Sequence, residues 1–164
     1  MSKIKPMPPT FSTSLAGRNL SRMLQARDAL ERLMNTLQTP AALLARLFVA
    51  QVFFASGLTK LRDWDITLAL FMDEYKVPLL SPQIAAWLGT AGELGLPVLL
   101  VVGLGGRFAA LGLSVVNAVA VVSLAEIAPA ALQQHFTWGV LLAGLAIFGS
   151  GRWSLDALLR AKSE

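Results

Sequence analysis

Four polar side chains sit in apolar surroundings: Arg46, Gln51, Glu93 and Asn117. Ionisable groups in hydrocarbon cost a few kcal/mol each, so they usually face a bundle interior and have partners. Glu93 is the only charge between Gln83 and Gly103 and lies at the centre of that stretch. Asn117 and Gln51 are equally central in theirs, so the three side chains are expected at one level. Ser114 shares the helical face of Asn117. Arg46 is about 7 Å from the level of Glu93 at 1.5 Å per residue, a gap that a long side chain largely covers. An Arg46–Glu93 contact, direct or through water, is the expectation. Snorkelling of Arg46 to the nearer surface is the alternative. Pro97 removes the N–H that would bond the carbonyl of Glu93 and leaves an acceptor beside the carboxylate. A buried carboxylate flanked by a guanidinium and amides can accept a proton or a hydrogen bond from a bound molecule. No residue is assigned as catalytic, and no metal site is expected.

A second group lies at the other ends of the apolar stretches. Lys60, Glu126 and His135 are candidates for an outer vestibule, although each alone reads as an ordinary interface residue. Glu126 is nine residues past Asn117 and is expected on the opposite side of its helix.

Composition bounds the chemistry. The 164 residues contain no Cys and one His. Disulfides, thiolate nucleophiles, iron–sulfur ligands, Cys-based zinc and bis-His haem within the chain are therefore excluded. An electron carrier would be a bound organic molecule or belong to a partner. Net charge is +4, but the bases flank apolar segments and do not form one face, which argues against nucleic acid. GLGGR at 103–107 lacks the Lys–Ser/Thr and the strand of a phosphate loop and reads as a tight turn.

The elements that must position these residues follow from hydropathy. Apolar residues make up 55% of the chain, above the usual roughly half, and charged ones 15%, below the usual roughly a quarter. Apolar stretches of roughly 20 residues match the bilayer's hydrocarbon thickness. Spans are expected at about Ala41–Leu61, Gln83–Gly103, Arg107–Ile127 and His135–Gly149. The last is short unless 130–134 extend it. Pro40 is expected at the start of the first span. Residues 1–13 read as a disordered lead, and 14–38 as an amphipathic helix lying at the membrane interface or packed on a partner. The absence of acids before Asp28 also resembles a mitochondrial transit peptide. A short outer helix is expected at Ile66–Tyr75 and a terminal one from Ser154 or Asp156. The four-span domain covers 41–152, and 153–164 form a tail. Ten bases, Lys3, Lys5, Arg18, Arg22, Arg27, Arg32, Arg107, Arg152, Arg160 and Lys162, fall on one side, which places both termini in the cytoplasm. The expected fold is all-α: a polytopic membrane four-helix bundle with an N-terminal amphipathic helix.

Arg46, SGLTKL at 56–61, AGELGLPVLLVVGL at 91–104, Arg107 with AALGL at 109–113, and GSGRWSLDALL at 149–159 together resemble the DoxX family. The family's closing motif often reads Gly-Pro-Gly, where this chain has Gly149-Ser150-Gly151. The first 40 residues lie outside the resemblance. It implies a bacterial inner-membrane four-helix bundle linked to quinol oxidase, thiosulfate:quinone oxidoreductase or oxidative-stress assemblies. The family's polar positions match Arg46, Lys60 and Glu93, without assigned roles. The expected function is an integral subunit of a quinone-linked or oxidative-stress membrane complex, at most a non-metal accessory subunit of an oxidoreductase, with no intrinsic cofactor and a site lined for a quinone or another small molecule. A non-catalytic assembly or anchoring protein and a small solute carrier acting as an oligomer are the alternatives. Expected partners are the bilayer, membrane or peripheral proteins, and a homo-oligomer.

Overall fold

The computed structural model describes residues 15–163. The expected lead at 1–13 lies outside the described residues, as does Ser14. Among the described residues six helices follow one another: α1 (Leu15–Arg62), α2 (Trp64–Asp73), α3 (Pro82–Val102), α4 (Gly106–Ser123), α5 (Pro129–Phe148) and α6 (Leu155–Ala161). Among the described residues the fold is all-α. Four helices, α1, α3, α4 and α5, are long and apolar enough to cross a membrane.

The chain divides into two units, meeting between Leu37 and Gln38. In the first, α1 is exposed from Arg18 through Leu37. The second, Gln38–Glu164, holds the rest of α1 and the other helices.

Three boundaries differ from the sequence expectation. First, the amphipathic helix and the first span are one 48-residue helix, with Pro40 in its interior. An interior proline removes one hydrogen bond and costs about 3 kcal/mol in a helix interior. Second, α4 stops at Ser123, four residues early, because Leu124 is extended (φ −87°, ψ 131°). Third, α5 starts at Pro129, so the fourth span is full length. Proline's missing N–H costs nothing at a first helical turn. The two short helices form where expected. The Asp63 side chain caps α2 by accepting from Ile66 N at 3.0 Å, and Ser154 caps α6 by accepting from Ala157 N at 3.2 Å.

Within the second unit, α1 turns one stripe inward: Arg46, Val49, Ala50, Phe53 and Gly57 are buried. Val49 and Phe53 join Leu100, Ala109, Ala110, Leu113, Leu142 and Leu145 in the main core. The small residues let backbones approach closely, the usual device where lipid removes the hydrophobic drive between helices. Gly57 is one such close approach: an added Cβ would lie 2.8 Å from Leu94 Cγ and 3.1 Å from Glu93 Cβ. Helix α2 packs on α3 through Phe71, Ala85 and Ala86, and Trp64 stacks on Trp87 at 4.2 Å. Thr67 Oγ1 donates to the Lys60 carbonyl at 2.9 Å, which ties α2 to the end of α1.

Candidate functional site

The buried charges fall into two places. Toward the α2 end of the bundle, Lys60 Nζ lies 2.6 Å from Glu93 Oε2 and donates to Ser56 Oγ at 2.9 Å. Both charged side chains are largely enclosed, with 20% and 10% of their surface exposed. The close approach at Gly57 brings α1 and α3 near enough for this pair. One helical turn beyond it, Pro97 interrupts the α3 ladder.

Arg46 does not reach Glu93. Its guanidinium donates to the carbonyls of Leu100 (2.7 Å) and Val101 at the end of α3, and to those of Ser150 and Trp153 (both 2.8 Å). The expected Arg46–Glu93 contact is therefore replaced by a Lys60–Glu93 pair and a separate arginine clasp. The reason is helix-end chemistry: the last carbonyls of a helix lack partners and attract a cation. The turn below reinforces the clasp. Gly103 has φ +73°, and an added Cβ would lie 2.5 Å from Ser154 Cβ and 3.0 Å from Arg46 Nη2, so only glycine fits.

The GLGG turn binds an acid, but an internal one. Asp156 accepts from Gly105 N at 2.9 Å and Gly106 N at 3.1 Å. These two backbone hydrogen bonds hold the Asp156 carboxyl below its ordinary pKa, with help from the charges of Arg160 and Arg46.

Asn117 and His135 form a second polar pair, between α4 and α5. Asn117 Nδ2 donates to the His135 carbonyl at 2.9 Å, and Asn117 Oδ1 lies 2.8 Å from His135 Nδ1. An amide oxygen only accepts, so Nδ1 carries the proton in this pair. The lone pair of a neutral ring then resides on Nε2. The ring also meets the Trp138 ring edge-on at 4.9 Å.

Between these pairs lies a cavity of about 460 Å³. Apolar side chains such as Val52, Phe53, Phe71, Val116 and Val119 make most of its wall. Its polar groups are Lys60, Glu93, His135, Ser56, Tyr75 and Ser123. The roof is the segment after α2, where Lys76 N donates to Ser123 O at 2.8 Å beside the Tyr75–Leu124 bridge. Burial raises the Tyr75 phenol above its ordinary pKa, and Glu74 and Glu93 add to the rise. Tyr75 therefore stays a neutral O–H donor. His135 also lines a shallower groove between α4 and α5, with Val121, Val122, Phe136 and Val140.

The residues singled out by sequence scatter in part. Glu93, Lys60 and His135 share the cavity, and Asn117 orients His135. Gln51 is exposed on the outer face of α1, and Glu126 is exposed beyond α4 and outside the cavity wall. Ser114 donates to its own helix at Ala110 O, 2.8 Å away. Sequence reasoning missed Tyr75 and Trp138 as wall residues. The usable signal for Lys60 was its place on the inward stripe of Arg46, Ala50, Phe53 and Gly57.

The DoxX family model matches residues 41–126. This chain belongs to the DoxX family. The DoxX match contains Arg46, Lys60, Glu93 and Asn117 and stops short of His135. With its four apolar helices, this DoxX chain is a multi-pass membrane protein. No curated protein and no solved structure matches it.

Proposed function

We propose that this protein is a membrane subunit of a quinone-linked redox complex, and that its cavity receives a quinone ring. The observation that carries the reading is the cavity itself. An apolar chamber of about 460 Å³ is large enough for a small ring, and its polar groups, Lys60, Glu93, Tyr75 and His135, can donate or accept protons. The donor set fits a ring with two opposed oxygens. Lys60 and Tyr75 can donate to a carbonyl, and His135 Nε2 can accept from a hydroxyl. The groove between α4 and α5 offers apolar lining for an isoprenoid tail, with His135 common to both spaces.

A bound quinone supplies two-electron chemistry that takes up or releases protons. The chain's contribution is then to hold the ring, exclude water and exchange protons at His135 Nε2 and Glu93. Asn117 positions His135 by fixing its tautomer. The distribution of bases supports both termini in the cytoplasm, and membership of the DoxX family supports a bacterial inner-membrane setting.

Trp138 in the cavity wall provides the test. A short-chain quinone added to the protein in nanodiscs is expected to quench its fluorescence saturably. Trp138→Phe should remove that component, and Val119→Trp, which fills the chamber, should abolish quinone-dependent thermal stabilisation. Linear, unsaturable quenching that Val119→Trp leaves unchanged would refute the reading. It would leave the assembly or anchoring function, which the exposed first unit of α1 favours.

A further inference from the structure

We infer that two copies of this chain pair side by side through the exposed face of α1, with Gln51 at the centre of the seam. The inference does not rest on the quinone reading. It starts from an amide in the wrong solvent. Gln51 is ten residues from Ala41 and ten from Leu61, so about 15 Å of helix separates it from either end of the span. Its side chain is too short to reach either interface. It is nevertheless exposed, and it has no side-chain hydrogen bond among the described residues. An unpaired amide in hydrocarbon is costly, and the usual remedy is a hydrogen bond from a neighbouring helix.

The surroundings of Gln51 identify the neighbour. Leu44, Phe48, Gln51, Ala55 and Leu58 recur at spacings of four and three, and all are exposed on one face of α1. That is the spacing of a coiled-coil seam. The buried stripe of Arg46, Val49, Phe53 and Gly57 faces the opposite way. A second copy inserts in the same orientation, so the two helices run parallel about a two-fold axis normal to the membrane. That axis sets Gln51 against Gln51 of the second copy. Each amide has a donor and an acceptor, so the pair satisfies itself. A single polar residue in an apolar seam also fixes its register.

The first unit carries the same pattern on its own account. Leu20, Met23, Leu30, Met34 and Leu37 are all exposed and follow the same repeat. Counted along the sequence, the register does not break before Leu44. Arg27 holds one seam position, and its charge is already met by Glu31 at 2.8 Å. A membrane surface as occupant would satisfy the apolar residues of this unit but leave Gln51 unpaired.

The chain has no cysteine, so single cysteines report the seam directly. Full-length protein in proteoliposomes at high lipid-to-protein ratio would be oxidised after each substitution. Leu30→Cys, Leu37→Cys and Leu44→Cys are expected to give covalent dimers. Val122→Cys and Val140→Cys, exposed on α4 and α5, are not. Adding Gln51→Leu should lower the Leu44→Cys yield roughly three- to tenfold, the range of one interhelical hydrogen bond, and Gln51→Asn should largely restore it. Equal yields at all positions, no dimer at Leu44→Cys, or a yield indifferent to Gln51→Leu would overturn the inference. So would a spin label at Leu30→Cys that lies among lipid headgroups with no short distance to a second label.

Discussion

Lys60 and Glu93 stabilise each other only as a pair. Removing one partner leaves a charge in a low-dielectric site, which typically costs about 3–5 kcal/mol, whereas replacing both with apolar residues of similar size is close to neutral. Lys60→Met is therefore expected to lower the thermal midpoint of the detergent-solubilised protein sharply. Lys60→Met with Glu93→Leu should recover most of it. Parallel melts of the three proteins check this, and a double variant worse than either single one would contradict the pairing. Arg46 behaves differently, because its partners are backbone carbonyls of α3 and of the segment after α5. Its contacts lie seven residues along α3 from Glu93, a rise of about 10 Å. Separated sites without shared partners contribute additively. Arg46→Gln and Glu93→Gln are thus expected to add within roughly 0.5 kcal/mol in a double-mutant cycle. Strong coupling there would show that the two side chains do meet.

At the scale of the element, the turn between α3 and α4 depends on residues fifty positions away. Asp156, one residue into α6, accepts from the amides of Gly105 and Gly106 at the start of α4. A carboxylate at a helix N-terminus satisfies unpaired donors and meets the positive end of the helix dipole. Its pKa is depressed in the folded state, so the folded protein binds fewer protons than the unfolded one. Stability from this group is then full above the ordinary carboxylate range and is lost as pH falls through the folded pKa. Asp156→Asn should lower the thermal midpoint at pH 7 by a few degrees and flatten its fall between about pH 5 and 3. Melting both proteins across that range measures the difference. Gly103→Ala should be worse than Asp156→Asn, since it adds left-handed strain and a collision with Ser154. Comparison of the two midpoints at pH 7 decides that order.

At the scale of the molecule, the two units are expected to separate in their contributions. The core, the clasp, the ion pair and the cavity all belong to Gln38–Glu164. A chain starting at Gln38 should insert and melt within a few degrees of the full chain, measured by thermal unfolding in the same detergent. Loss of insertion or a large drop would show that the first unit takes part in the bundle's folding.

The sequence alone determined that lipid surrounds this protein. It also determined that four helices cross the membrane and that a short helix follows the first span. Those conclusions rest on hydropathy and length, which are local and additive along the chain. The stripe that carries Arg46 and Lys60 inward, with Ala50, Phe53 and Gly57 between them at spacings of four and three, follows from local spacing as well. It did not tell which cation meets Glu93. Only the tertiary structure decided that, because the answer depends on the close approach of α1 and α3 at Gly57 and on unpaired carbonyls at the end of α3 that draw Arg46 away. The fate of Gln51 was equally undecided, since its depth follows from residue count while its direction follows from which face of α1 the other helices cover. The partners of Asn117 and Asp156 lie eighteen and about fifty residues distant. No local rule links positions so far apart, and only the packing of α4 on α5 and of α6 on the α3–α4 turn brings them together.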